Sequence, residues 1–198
     1  MEKNIIVRTI ENIIGTDKIE YISGYVKDIG SLCCNLLGER GCVYGFAVQI
    51  PEKDVNTVFQ YFANNKILHE RFYNGKKPKN CSEWKPIEGN YYPLYWGKDK
   101  NMGLRLAAHT KSIKSTHTLQ FCNIDILKGY KVIYGAIPCL NCKSNEDMLH
   151  ETFPDVLKTR CYKRKNNTSH NAEKLIDYVK SEEIFSDEGS EKKYNRGK

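Results

Sequence analysis

The sequence predicts an α/β (α+β) domain built on a small mixed β-sheet flanked by helices, and three observations carry that prediction. Cys42–Ile50 is an apolar run rich in β-branched and aromatic residues and stopped by Pro51, as a buried strand would be. Residues 54–65 follow with Val55, Val58, Phe59 and Phe62 at helical spacing, behind Asp54 as the expected N-cap. Two further β-type runs, Pro93–Gly97 and Tyr130–Ile137, are separated by a helical pattern.

Taken in order, residues 1–40 read as an N-terminal helical extension. Its helix is Lys18–Leu37, closed by Gly38 and Gly41 at turn-permissive positions. Residues 41–160 form the domain proper. Within it, residues 71–92 are rich in Asn, Gly, Lys, Pro and Tyr and are expected to be a long surface loop. Asn101–Lys111 reads as a short helix and Thr118–Cys122 as a strand, so the sheet is expected from strands near 42, 93, 118 and 130. A helix then runs from Asn145 towards Phe153, with Ser144 or Asn145 as cap, Glu146 and Asp147 in its first turn, and Pro154 as its stop. Residues 161–198 comprise a basic stretch (Lys163, Arg164, Lys165), one helix at 171–182 and a charged tail from Ser186 that is expected to be disordered.

Composition narrows the function classes. The chain has 198 residues, 40% of them hydrophobic and 11% aromatic, enough for a packed core. Lys and Arg number 31 against 24 acidic residues, a formal charge of +7. That excess favours polyanionic partners, because displacing counterions from a phosphate backbone drives association; a plainly solvated basic surface is the competing reading. No run approaches the roughly 18 apolar residues of a membrane helix, and the N-terminus lacks a signal-peptide core, so no membrane partner and a cytoplasmic address are expected. The eight cysteines then read as reduced thiols.

The chemistry concentrates in residues 93–109. A strand delivers Tyr95, Gly97 permits a tight turn, and a short helix presents Arg105 and His109 four residues apart on one face, with Leu104 and Ala108 pointing inward. Tyr95, Lys98, Arg105 and His109 together suit a phosphate-handling site, since the guanidinium fork matches phosphate oxygens and can stabilise charge growing in a transition state. Simple solvent exposure of Arg105, Lys98 and His109, and a purely structural Tyr95 ring, are the plainer alternatives.

Here the chain resembles the GIY-YIG endonuclease superfamily, in restriction-type or stand-alone form. The run Leu94-Tyr-Trp-Gly-Lys98, the spacing from Asn101 to Arg105 and the histidine at 109 are similar to the second half of its signature, with Trp96 in place of Ile. Gly41-Cys-Val-Tyr-Gly-Phe46 resembles the first half, with Cys42 in place of a Gly and Tyr44 as its tyrosine; Tyr91 and Tyr92 are alternatives. Glu146 to Pro154 is similar to the family helix that begins with a metal-binding Glu and ends at Pro, with Glu151 as a competing acid in the same helix. Two departures stand out. The signature strands are far apart, so 51–92 is read as an insertion, and no Asn follows Pro154, leaving Asn141, Asn166 or no residue in that role.

What the resemblance implies is hydrolysis of DNA phosphodiester bonds by water attacking in line, with one Mg²⁺ or Mn²⁺ at Glu146. The expected catalytic set is Tyr44, Tyr95, Lys98, Arg105, His109 and Glu146: Arg105 neutralises the phosphate, Tyr44 helps deprotonate the water, and Lys98 or the metal eases that deprotonation. A restriction or defence nuclease is the implied setting, with RNA as an alternative substrate and a homodimer left open. Two readings compete. One is a basic nucleic-acid-binding domain without catalysis. The other is a zinc-stabilised interaction protein, for which Cys139 and Cys142 supply one C-x-x-C pair and Cys33, Cys34, Cys122, Cys161 and His150 are the available further ligands.

Overall fold

A computed structural model describes residues 3–17, 20–29, 41–110 and 118–160. Among the described residues the fold is a mixed α+β arrangement of four α-helices and six β-strands, joined in part by 3-10 turns. These are α1 (Ile5–Ile14), β1 (Ile22–Tyr25), β2 (Cys42–Gln49), α2 (Val55–Asn64), β3 (Tyr73–Asn74), β4 (Lys77–Pro78), β5 (Tyr91–Asp99), α3 (Leu104–Thr110), β6 (Lys131–Pro138) and α4 (Cys142–Thr152). The main sheet runs β1-β6-β2-β5, and each of its pairings is antiparallel, so the expected mixed sheet is corrected to an antiparallel one. A two-residue hairpin of β3 and β4 stands apart from it.

Each face of the sheet carries its own core. Tyr44, Phe46 and Val48 of β2 point with Tyr134 and Ala136 of β6 towards Val58, Phe59 and Phe62 of α2. Val43 and Ala47 point the other way, with Trp96, Ile133 and Ile137, towards Ile6 and Ile10 of α1 and Leu149 of α4. This is the period-2 alternation of strands, hidden in the sequence because both faces of β2 are buried. Side chains as fully buried as Phe59 and Phe62 each contribute about 1.5–3 kcal/mol through loss of apolar surface to water.

Several sequence expectations change. Residues 22–25, expected within a helix over 18–37, form the edge strand β1 paired with β6; residues 18, 19 and 30–37 of that span lie outside the described residues. The N-terminal helix lies earlier, at α1, where Asn4 caps Val7 N–H at 3.1 Å and Gly15 ends the helix at φ 64°. No strand forms at 118–122. Thr118 makes one antiparallel bridge to Arg160, and Gln120 at φ 55° breaks the extended path before a 3-10 turn at Phe121–Asn123. The segment 71–92 is more ordered than a surface loop. It folds through the β3–β4 hairpin and buries Trp84, whose ring lies 5.6 Å from Phe62 and 5.2 Å from Tyr92 and whose Nε1–H donates to the Pro93 carbonyl at 2.7 Å. Helix α2 follows the predicted 54–65 span, though the Asp54 side chain makes no capping hydrogen bond. Lys163 to Lys165, Asn166, the helix at 171–182, the tail from Ser186, and Cys33, Cys34 and Cys161 lie outside the described residues.

Candidate active site

Strands β2 and β5 meet through two reciprocal aromatic–glycine pairs. Tyr44 lies opposite Gly97, and Gly45 opposite Trp96. A Cβ added at Gly97 would lie 2.5 Å from the Tyr44 Cζ and Oη, and one added at Gly45 would lie 2.3 Å from the Trp96 ring. Each glycine therefore leaves the space its neighbour's ring fills, the tyrosine on one face and the tryptophan on the other. A β-bulge between the 46–95 and 47–93 pairs leaves Leu94 extra. That insertion turns Tyr95 onto the face of Tyr44, where strict alternation from Tyr92 would have put it on the opposite face. The Leu94 carbonyl accepts hydrogen bonds from Val156 N–H at 3.2 Å and Leu157 N–H at 3.1 Å.

Beneath this pair lies α3. It begins at Leu104, later than expected, because Gly103 sits at φ 90°, outside helical space. Asp99 accepts hydrogen bonds from the N–H groups of Asn101 and Arg105, holding the turn between β5 and α3. Arg105 is exposed, but His109 is fully buried, so the alternative of simple solvent exposure does not hold for it. Its Nε2 lies 2.8 Å from Tyr44 Oη, and its Nδ1 accepts Leu119 N–H at 3.0 Å. A neutral imidazole that accepts at Nδ1 carries its proton on Nε2, so His109 donates to Tyr44. Burial, reinforced by the Arg105 charge, pushes the His109 pKa down to about 3, so the ring is neutral at physiological pH.

Tyr44 thus receives a hydrogen bond and keeps its own proton for another partner. Burial raises its pKa well above 10, and the neighbouring Tyr95 pushes in the same direction, while Arg105 pulls it down. This corrects the expected role of Lys98. Lys98 lies in register with Val43, on the opposite sheet face from Tyr44, and it pairs with Glu146. The cation favouring a Tyr44 phenolate is Arg105.

Glu146 arrives from α4. The helix starts at Cys142 with Asn141 at its N-cap position, so Glu146 lies beyond the first turn, and the expected Ser144 or Asn145 cap and first-turn acids are corrected. Its carboxylate, 14% exposed, is held by Lys98, 41% exposed, across the edge of the sheet. Tyr95 joins the two sides. Its ring lies 5.1 Å from that of His109 and 6.4 Å from that of Tyr44, and its phenol is raised by burial and by the charges of Asp155 and Glu146 while Arg105 opposes them. Tyr44, Tyr95 and His109 therefore converge directly, while Arg105 acts on all three, and Glu146 on Tyr95, through charge. Lys98 reaches the group only through Glu146.

Sequence reasoning missed Asp155, and offered His150 only as a zinc ligand. Asp155 Oδ1 accepts Trp96 N–H at 2.8 Å and lies 3.4 Å from His150 Nδ1, tying the chain after α4 to the outer edge of β5. Burial raises the Asp155 pKa, and Asp155 in turn raises that of His150. The available signal was its place directly after Pro154, where a polar residue had been sought at Asn141 or Asn166. Asn141 instead occupies the exposed N-cap position of α4.

Glu146 is the one carboxylate of the expected set. Among the described residues no group of three or more His, Cys, Asp or Glu is arranged to hold a metal ion. A single partly buried carboxylate fits a hard cation that keeps most of its waters and takes its remaining oxygens from a substrate phosphate. It does not fit a closed four-ligand zinc site. Among the described residues, no helix is long and apolar enough to cross a membrane. Comparison with protein-family models, with curated proteins and with solved structures returned no match.

Proposed function

We propose that this protein is a metal-dependent endonuclease that hydrolyses DNA phosphodiester bonds in the manner of the GIY-YIG superfamily, acting in restriction or defence. The observation that carries the reading is the buried Tyr44–His109 hydrogen bond, flanked by Tyr95 and by the exposed Arg105. Two phenols and a guanidinium, fixed by a neutral histidine whose donor direction is set by the backbone, form a device for handling a proton beside a phosphate.

In this reading Arg105 binds the scissile phosphate and neutralises its equatorial oxygens as charge grows. Tyr44 is protonated at neutral pH, so it works as a relay. Because Tyr44 is only 1% exposed, bound substrate would have to bring a water and a phosphate oxygen to Oη, which would then accept the water's proton as it gives up its own. His109 Nε2–H fixes the direction of the Tyr44 hydroxyl for the two transfers, and Tyr95 orients the group. Glu146 would hold Mg²⁺ or Mn²⁺, which when bound supplies Lewis-acid stabilisation of the leaving oxygen. Lys98 pairs with the same carboxylate and would compete with the metal for it.

The test is incubation of supercoiled plasmid with the protein and Mg²⁺ or Mn²⁺, beside an Arg105→Ala control and a structured RNA of similar length. Nicked and linear DNA formed only by the unaltered protein is the expected result. DNA bound without any strand break, at every metal concentration tried, would leave a binding domain and remove the enzyme; cleavage of RNA alone would change the substrate class.

A further inference from the structure

The cysteines at the head of α4 are not used by the proposed reaction. Strand β6 ends at Pro138 and α4 begins at Cys142, so Cys139-Leu-Asn-Cys142 is the turn that joins sheet to helix. The two sulfurs lie 2.7 Å apart, and Cys142 Sγ lies 3.1 Å from the Cys139 carbonyl oxygen. The pair is also held from the side of the sheet. Cys139 N–H donates to the Gly41 carbonyl at 2.9 Å, and a Cβ on Gly41 would lie 2.9 Å from Cys142 Sγ. Both thiols are free and partly exposed, and Leu140 between them is 96% exposed, so small reagents can reach the turn.

We propose that Cys139 and Cys142 form a reversible dithiol–disulfide couple that exchanges with low-molecular-weight disulfides of the glutathione type. The geometry carries the proposal. A disulfide needs an S–S distance of about 2.05 Å, so the sulfurs have roughly 0.7 Å to close within a frame that already holds them in contact. Packing alone gives no reason to bring two thiols together on a partly exposed turn. A metal would need further ligands, and none converge there among the described residues.

The exchange balances as two displacements. Cys142, the first residue of α4, is the attacking group. It gives its proton to solvent and attacks one sulfur of glutathione disulfide; the reagent's S–S bond breaks and one glutathione thiolate leaves. Cys139 has its thiol pushed up to about 12, chiefly by burial, so it enters second. It gives its proton to the departing thiolate and attacks the Cys142 sulfur, forming the internal bond and releasing the second glutathione. Two cysteines are oxidised by one electron each, and the reagent is reduced by two.

The full-length protein, kept in a chelator, would be equilibrated in mixtures of reduced glutathione and glutathione disulfide, quenched in acid, alkylated and mapped by mass spectrometry. Residues 139 and 142 should lose both alkyl labels together and appear linked to each other as the disulfide rises. Excess reduced glutathione should restore both labels. Full alkylation of both residues in glutathione disulfide alone would overturn the proposal. So would a lasting glutathione adduct on Cys142, or a bond from Cys142 to the buried neighbour Cys42. The readout requires no nuclease activity, so it stands or falls separately from the function proposed above.

Discussion

Replacing Gly97 with alanine puts a methyl group where the Tyr44 ring lies. The added Cβ would be 2.5 Å from Cζ and Oη, against an ordinary contact of 3.4 Å or more. Tyr44 is 1% exposed, packed against Phe46 and Tyr95 and bound to His109, so it has little room to yield. The hydroxyl must shift by roughly 0.9 Å, and a misplacement of about 1 Å at a reacting group can cost about 10²-fold in rate. Overpacking should also cost about 1–3 kcal/mol of stability. Gly45→Ala supplies the matched control. It makes the same kind of clash with a ring, at 2.3 Å from Trp96, but on the opposite sheet face, away from Tyr44 and His109. Denaturant unfolding and plasmid nicking would be measured on both variants. Comparable losses of stability are expected, with nicking reduced about 10²-fold more in Gly97→Ala. Equal nicking by the two variants at matched stability would mean that the position of Tyr44 does not matter, and the reasoning would fail.

Three further outcomes follow from the same geometry. Arg105→Ala should leave the unfolding midpoint nearly unchanged, because the side chain is exposed, and should lower nicking by about 10²–10³-fold; a parallel loss of folding would show that its role is structural. Lys98→Met should free the Glu146 carboxylate and tighten Mn²⁺ binding measured by calorimetry, whereas Glu146→Gln should abolish it; unchanged affinity in both variants would remove Glu146 as the metal ligand. The unfolded chain protonates a histidine near pH 6.5, but folded His109 does so only near 3. Between those values the unfolded state binds the extra proton, so His109 supports the fold fully above pH 6.5 and loses that support progressively as pH falls towards 3. His109→Gln should flatten this part of the denaturation-versus-pH curve, and identical slopes in both proteins would contradict a buried neutral ring.

The parts of the fold legible in the sequence were those governed by local pattern. The apolar run at 42–50 and the spacing of Val55, Val58, Phe59 and Phe62 read directly as β2 and α2. Ile22–Tyr25 was misread because a short edge strand is fixed by its partner β6, about 110 residues away, and carries no period of its own. Tyr95, Arg105 and His109 could be nominated from residue type and spacing, and Tyr44 from the resemblance to the GIY-YIG signature. The direction of the His109 proton could not, since it depends on Leu119 N–H, beyond any motif. The bulge at Leu94 was likewise hidden, and with it the side of the sheet on which Tyr95 emerges. The partner of Lys98 was hidden for the same kind of reason. Nearness in sequence to Gly97 says nothing of the sheet face, and alternation sends its ammonium to Glu146.

The chain after α4 has a consequence for association between molecules. Strand β5 is terminal in the sheet, and its outward groups would otherwise template the addition of a foreign strand. Asp155 takes up Trp96 N–H, and the amides of Val156 and Leu157 take up the Leu94 carbonyl. A polypeptide cut after Phe153 would lose these guards and present a bare ribbon rich in tyrosine and tryptophan, inviting aggregation through backbone pairing rather than a simple loss of activity.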